Sequence, residues 1–191
     1  MKKLILSGVL AIGAFLSTQA QSIHFGLKGG LNIDKMTNTD NAKTQAGFHV
    51  GGFVNIGLTK EWAIQPELLY SGQGVKKDNP SPFADVTLKT DYLNIPVMIQ
   101  YSIVPSFYLE AGPQVGILVG AKQKIGSNSK DVKNQLSGAD FGLGFGCGYK
   151  FDCGFGVSGR YMFGITNAVN SDYSNSTSKN SVAQVGVFYQ F

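Results

Sequence analysis

The chain has 191 residues, of which 15% are charged and 25 are glycine, and its formal net charge is +4. Soluble domains average about 25% charged residues and about 7% glycine, so this composition argues against an ordinary soluble enzyme. The small positive charge, part of which comes from Lys2 and Lys3, is too weak to indicate nucleic-acid binding.

Residues 1–20 have the organisation of a secretory signal peptide. Two lysines precede a short apolar stretch at 4–16, and Thr18-Gln19-Ala20 supplies small residues where the signal would be cleaved. The stretch is too short for a membrane-spanning helix, which takes about 20 residues. We therefore expect cleavage after Ala20 and a single domain over 21–191, exported from the cytoplasm.

The rest of the chain alternates apolar and polar residues with period two, which predicts β-strands. The clearest stretch is 139–151, where five aromatic or apolar residues and a cysteine alternate with glycines and charges. The predicted strands are 23–33, 45–58, 61–74, one that starts at Asp91, 107–122, 139–151, 155–165 and a last one that ends at Phe191.

The connections between these eight strands alternate in length. Short turns are predicted at 59–60, 104–106 and 152–153, and long polar loops at 34–44, 75–90, 123–138 and 167–180. Short periplasmic turns and long external loops are typical of bacterial outer-membrane barrels. The sequence thus predicts an eight-stranded antiparallel up-and-down transmembrane β-barrel with both termini in the periplasm.

One face of the predicted strands is glycine-rich and carries isolated charges. A solvent-facing surface has no need of glycine, whereas a narrow barrel interior does, because small residues leave room for a few long ones. Unpaired buried ions cost several kcal/mol each, so these charges must pair. We expect an interior cluster made of Lys28, Glu67, Glu110 and Arg160.

Aromatic residues fall in two groups, one near the short turns and one toward the long loops. At about 3.3 Å per residue and 45° tilt, Trp62 and Tyr70 are roughly 19 Å apart along the membrane normal. This spacing suits an aromatic girdle at both edges of an apolar band. The expected girdle residues are Trp62, Tyr70, Tyr101, Tyr149, Tyr161, Phe163 and Tyr189.

Two features complicate the strand register. Pro66, Pro96 and Pro113 lie within predicted strands, and since proline removes a ladder donor we expect bulges there. Cys147 and Cys153 flank a predicted hairpin turn that would place Cys147 opposite Ser158, so a disulfide between them is not favoured.

Several blocks resemble PorT-like outer-membrane β-barrel proteins over essentially the whole mature chain. The blocks are GLKGGLN at 26–32, QPELLYS at 65–71, YLNIPV at 92–97 and AGP at 111–113. The resemblance implies the barrel fold and the outer membrane as location. The terminal Phe191 also resembles the signal by which the barrel-assembly machinery recognises its substrates.

No pattern indicates catalysis, a cofactor or a metal. The glycines at 142–146 alternate as strand residues and no helix follows them, so they are not a nucleotide loop. His24 and His49 fall at inward positions of strands and are expected to be packed polar residues, and two cysteines without nearby histidine make a zinc site improbable. We expect a protein that is not an enzyme and does not bind nucleic acid.

Four functions remain open. The leading one is a structural or surface-interaction barrel, anchored in outer-membrane lipid, whose external loops could meet a ligand or partner. A small porin-like channel is a second, although eight strands leave an interior that side chains can fill. The family name suggests accessory work in secretion. A soluble periplasmic carrier would instead have its apolar face inside, lining a ligand cavity.

Overall fold

The computed structural model describes residues 22–36, 42–77, 86–125, 128–131, 138–165 and 180–191. No helix long and apolar enough to cross a membrane occurs in these ranges. They form nine strands: β1 Ser22–Met36, β2 Ala42–Gly57, β3 Trp62–Lys77, β4 Val86–Val104, β5 Phe107–Ile125, β6 Asn128–Asp131, β7 Ala139–Lys150, β8 Phe155–Gly164 and β9 Asn180–Gln190.

Eight of the strands close into a barrel. Each long strand pairs antiparallel with its neighbours, and the pairings β1–β9 and β4–β5 complete the circle. The extra strand, β6, has four residues and pairs with β5 beyond the point where β7 begins. The predicted eight-stranded antiparallel barrel is confirmed, and β6 is an addition inside a segment predicted as a loop.

The strands run further toward the long connections than the sequence predicted. β1 continues to Met36, β3 continues to Lys77 and pairs with β4 from Val86, and β5 continues to Ile125. Backbone pairing persists in these segments although the period-two pattern of the sequence fades there. Predictions that concern 1–21, 37–41, 78–85, 126–127, 132–137 and 166–179 lie outside the described residues.

The two faces of the barrel wall differ sharply in chemistry. Exposed apolar side chains on the outer face include Phe25, Leu27, Leu31, Phe48, Val50, Leu68, Ile99, Leu109, Phe145, Val157 and Val185. Buried polar side chains include Lys28, Asn32, His49, Gln65, Glu67, Ser71, Asn94, Gln100, Glu110, Ser158, Arg160 and Gln184. A carrier of an apolar ligand needs the opposite arrangement, so the soluble-carrier alternative is wrong.

The expectation of bulges at the three prolines is also wrong. On one side of Pro66, Pro96 and Pro113 a few ladder pairs are missing, but the register continues unchanged past the gap, and the ladder on the other side is intact. A strand residue directs its N–H toward one neighbour, so proline interrupts one ladder and spares the other. The register shifts lie elsewhere, between Thr44 and Phe48, between Asp91 and Tyr92, and between Ser102 and Val104.

The strand register of the β7–β8 hairpin differs from the predicted register by one residue. Its turn includes Gly154, whose φ of 83° suits glycine. As a result Cys147 pairs with Gly159, and Ser158 pairs with Gly148. Cys147 and Cys153 are both exposed and free.

Three rings pack inside the barrel near the short-turn end, and glycines make room for them. Phe188 lies 6.0 Å from Phe53 and 6.4 Å from Tyr108, measured between ring centroids. A Cβ atom on Gly156 would collide with the ring of Phe188. The glycine at position 156 is therefore a packing requirement of this interior.

We expect Gly156→Ala to lower the free energy of unfolding by about 1–3 kcal/mol, since the added methyl group overpacks the interior. Gly159→Ala on the same strand is the matched control, because its nearest neighbour would be the Gln184 carbonyl oxygen at 4.0 Å. Urea titration of the refolded protein in lipid vesicles measures both. Equal stability of the two variants would show that the interior yields to the methyl group.

Candidate functional site: the interior polar network

The structure brings the four predicted interior charges together. Arg160 on β8 donates from Nη1 and Nη2 to the two carboxylate oxygens of Glu67 on β3, at 2.9 and 2.7 Å. Its Nε donates to Oε1 of Glu110 on β5 at 2.7 Å. Lys28 on β1 lies with Nζ 3.4 Å from Oε1 of Glu67. One guanidinium therefore ties opposite walls of the barrel together.

The cluster is buried and electrically balanced. The side chains of Arg160 and Lys28 are 2% and 4% exposed, and those of Glu67 and Glu110 are fully buried. Two cations face two carboxylates, so the formal charge sums to zero. Charge balance matters here because removing one partner of a buried pair costs about 3–5 kcal/mol.

Three amide side chains that the sequence analysis did not single out complete a ring. Asn55 donates from Nδ2 to Oε1 of Gln65 at 3.0 Å and to Oε1 of Gln100 at 2.8 Å. Gln65 then donates to Glu67 at 2.9 Å, and Gln100 donates to Glu110 at 3.2 Å. With Arg160 the circuit closes across five strands. One feature of the sequence points to these amides: all three occupy inward-facing positions of their strands.

A second network, centred on Asn32, continues the polar interior. Asn32 donates to Ser71 at 2.8 Å and to the carbonyl oxygens of Phe48 and Gly72. Its Oδ1 accepts from Gln184 at 3.1 Å and lies 2.8 Å from Nδ1 of His49. His49 is thus a packed polar residue of the interior, as expected.

Side chains fill the space around the networks. Among the described residues, the largest of the fully buried side chains are those of Leu69, Met98, His49, Asn32, Asn94, Pro96 and Ser71. A small cavity of about 20 Å³ remains beside Asn94 and Gln114. Asn94 Nδ2 and Gln114 Oε1 have no hydrogen-bond partner among the described residues, and a cavity of that size holds about one water molecule.

The seven expected girdle residues all lie on the outer face and are 38–48% exposed. Trp62 packs against Tyr101 with ring centroids 4.8 Å apart, and Tyr161 packs against Phe163 at 4.5 Å. Tyr189 lies 5.2 Å from Phe191, the expected assembly signal. Phe191 is 68% exposed and its N–H donates to the carbonyl oxygen of Phe25, which extends the β9–β1 contact to the last residue.

Within the described part of the chain no three His, Cys, Asp or Glu side chains are grouped as a metal site would require. The remaining histidine, His24, lies at the short-turn end with Nδ1 3.1 Å from the carbonyl oxygen of Phe191.

The same architecture occurs in solved outer-membrane proteins. Neisserial surface protein A superimposes with a TM-score of 0.59 at 13% identity, over 90% of this chain and 100% of that one. The attachment invasion locus protein Ail of Yersinia pestis, crystallised with the heparin analogue sucrose octasulfate, gives 0.53 at 15% identity over 90% and 100%. At such identities the likeness concerns the fold.

No protein of curated function matches the sequence. The sequence profile described as "Outer membrane protein beta-barrel domain" matches residues 19–170, which is most of the chain. The outer face of the barrel is apolar, its interior is polar and braced, and its architecture is that of integral outer-membrane proteins. The chain belongs to the family of outer membrane protein β-barrel domains and is an integral protein of the outer membrane.

Proposed function

We propose that the protein is a closed anchor that presents its external segments for surface interaction and does not conduct solutes. The observation that carries this proposal is the salt-bridged network of Arg160, Glu67 and Glu110 across the barrel. All three side chains are at most 2% exposed. An eight-stranded barrel is narrow enough for side chains to fill. The interior side chains therefore link the strands across the barrel and fill its centre.

The surface role rests on a different feature, the length of the wall outside the apolar band. β4 and β5 have 19 residues each, whereas a transmembrane strand needs about 9–11. The extra length raises a ladder above the membrane on the side of the long connections. The attachment invasion locus protein, a barrel of the same fold solved with a heparin analogue, supports a role in binding and not in catalysis.

Planar-bilayer recording tests the closed interior. We expect purified protein to give no steady conductance steps. The variant Arg160→Ala/Glu67→Ala/Glu110→Ala removes the long side chains from the centre of the barrel, and we expect it to conduct. It is the positive control, because conductance by this variant shows that the assay detects an open barrel. Steady channels from the unmodified protein at one conducting unit per barrel would overturn the proposal and make the small-channel alternative the leading function.

The PorT-like subgroup is a finer assignment within the family. It is supported by the resemblance of blocks 26–32 and 65–71, which also supply Lys28, Asn32 and Glu67 to the two interior networks. This assignment favours accessory work in secretion as a second candidate. Deleting the gene and measuring secreted protein tests it: unchanged secretion would remove this candidate and leave the closed anchor untouched.

A further inference from the structure

Two cavities open at the short-turn end of the barrel, on the side of the periplasm. Their volumes are about 470 and 410 Å³, which is within the range of small-molecule sites. The walls of both include His24, Pro105, Lys150 and Gln190, so the two cavities adjoin. We call them together the mouth cup.

The mouth cup is closed at its inner end. Asn55 lines the larger cavity and donates to Gln65 and Gln100, which belong to the interior polar network. Two residues further in on β2, the ring of Phe53 packs against the ring of Phe188 at 6.0 Å. A solute that enters from the periplasm can therefore bind in the cup but cannot pass through the barrel.

Lys150 places an unpaired cation on the wall of the cup. It follows the outward-facing Tyr149 on β7, points inward and is half-buried. Within the described ranges its side chain has neither an ion pair nor a hydrogen bond, whereas Lys28 and Arg160, deeper in the barrel, both contact carboxylates. Lys150 is thus an inward-facing cation that is available to a ligand.

Uncharged polar groups surround Lys150. The Gln190 side chain lines both cavities and the Ser102 side chain lines the larger one. Neither side chain is hydrogen-bonded to another described residue. The cup therefore offers an amide and a hydroxyl donor beside the ammonium group.

The acidic groups of the cup lie on its rim. Glu61 lines the larger cavity, and its Oε2 accepts from Oγ1 of Thr59 at 3.1 Å. Asp152 lines the smaller cavity from an exposed turn. The carboxyl end of Phe191 has its oxygen 3.1 Å from Nδ1 of His24. Negative charge is thus held at the entrance, while the inner wall carries Lys150.

We propose that the mouth cup binds small organic acids from the periplasm, compounds of a few carbon atoms whose carboxylate pairs with Lys150. A carboxylate accepts several hydrogen bonds at once, so it can also take those of Gln190 and Ser102. Its bond to the lysine is charge-assisted, and such bonds are roughly twice as strong as neutral ones.

Trp62 provides the readout, because it is the single tryptophan of the chain and lines the larger cavity. The full barrel, folded in neutral detergent, is titrated with sodium succinate, with its uncharged dimethyl ester, and with sodium chloride at the same ionic strength. We expect a saturable change of fluorescence with succinate alone. Amide NMR shifts of Lys150 and Gln190 give a second readout that does not depend on the tryptophan.

Lys150→Met should bind succinate at least about tenfold more weakly, since a hydrogen bond to a charged group is lost. Lys150→Arg should retain binding, and so should the control Lys89→Met, which removes an exposed lysine from the outer wall. Lys150→Met breaks no contact between described residues, so it should fold, which its gel mobility before and after boiling verifies.

Equal affinity of Lys150→Met and the unmodified protein for succinate would overturn the proposal. So would an equal response to the dimethyl ester or to sodium chloride, and so would the absence of saturation in both readouts. None of these outcomes bears on the closed interior, which planar-bilayer recording tests separately.

Discussion

Replacing Arg160 with Met is expected to lower the free energy of unfolding by about 3–5 kcal/mol. The substitution removes three charge-assisted hydrogen bonds to Glu67 and Glu110. Two carboxylates then remain in the interior, and Lys28 contacts Glu67 alone, at 3.4 Å. The midpoint of urea unfolding in lipid vesicles, followed by the mobility shift between folded and unfolded bands, measures the loss.

A second substitution separates charge from packing. Glu110→Gln added to Arg160→Met removes one of the two carboxylates that faced Arg160 and keeps the Lys28–Glu67 pair, so we expect part of the stability to return. Glu67→Gln added to Arg160→Met leaves both Lys28 and Glu110 without their close partners, so we expect less recovery. If both double variants match Arg160→Met, the network stabilises the barrel by packing and not by charge. Lys60→Met, on the exposed turn, is the control for loss of a cation.

The barrel could be predicted because its two faces have opposite chemistry. The period-two alternation in eight stretches shows which residues share a face of the barrel wall. Glycines with isolated charged residues mark the face that points inward. Glu67, Glu110 and Arg160 stand out since an ion among glycines must have a partner. Uncharged amides carry no such mark. Asn55, Gln65 and Gln100 suit a wet surface as well as a buried hydrogen bond, so only the structure shows that they complete the ring.

Strand ends and prolines were harder to predict for a common reason. Both depend on backbone hydrogen bonds, which the alternation of side chains reports only where one face is apolar. Beyond the apolar band, the pairing of Lys77 with Val86 leaves no side-chain pattern. At Pro66 the missing donor affects the β2 side, while the pair with Val97 on the β4 side remains. A sequence shows that a proline lacks a backbone N–H donor, but it does not show which of the two neighbouring strand pairings loses the hydrogen bond.

The two faces of block 65–71 are subject to different structural constraints. Its alternate residues Gln65, Glu67 and Ser71 enter the two interior networks. The residues between them, such as Leu68 and Tyr70, are exposed on the outer face. The inner set must match partners on three other strands, whereas the outer set needs only to be apolar or aromatic. The hydrogen-bonding constraints on this block therefore fall on its inward residues.

Placing an arginine on the outer wall should reveal how deep each position lies in the bilayer. Ile99 and Ile103 belong to the same outward row of β4 and are 50% and 54% exposed. Ile99 lies near the middle of the apolar row and Ile103 at its short-turn end. We expect Ile99→Arg to cost about 2–4 kcal/mol and Ile103→Arg at most about 1 kcal/mol, because an arginine near the interface reaches the headgroups.

Urea titration in lipid vesicles compares the two variants, which share the same chemical change and the same strand. A soluble barrel would tolerate both equally, since water would solvate either guanidinium. Equal midpoints would therefore contradict the assigned position of the apolar band, whereas a difference in the expected order would fix its centre near Ile99. The same comparison in detergent micelles should shrink the difference, because a micelle deforms around a buried charge more easily than a bilayer does.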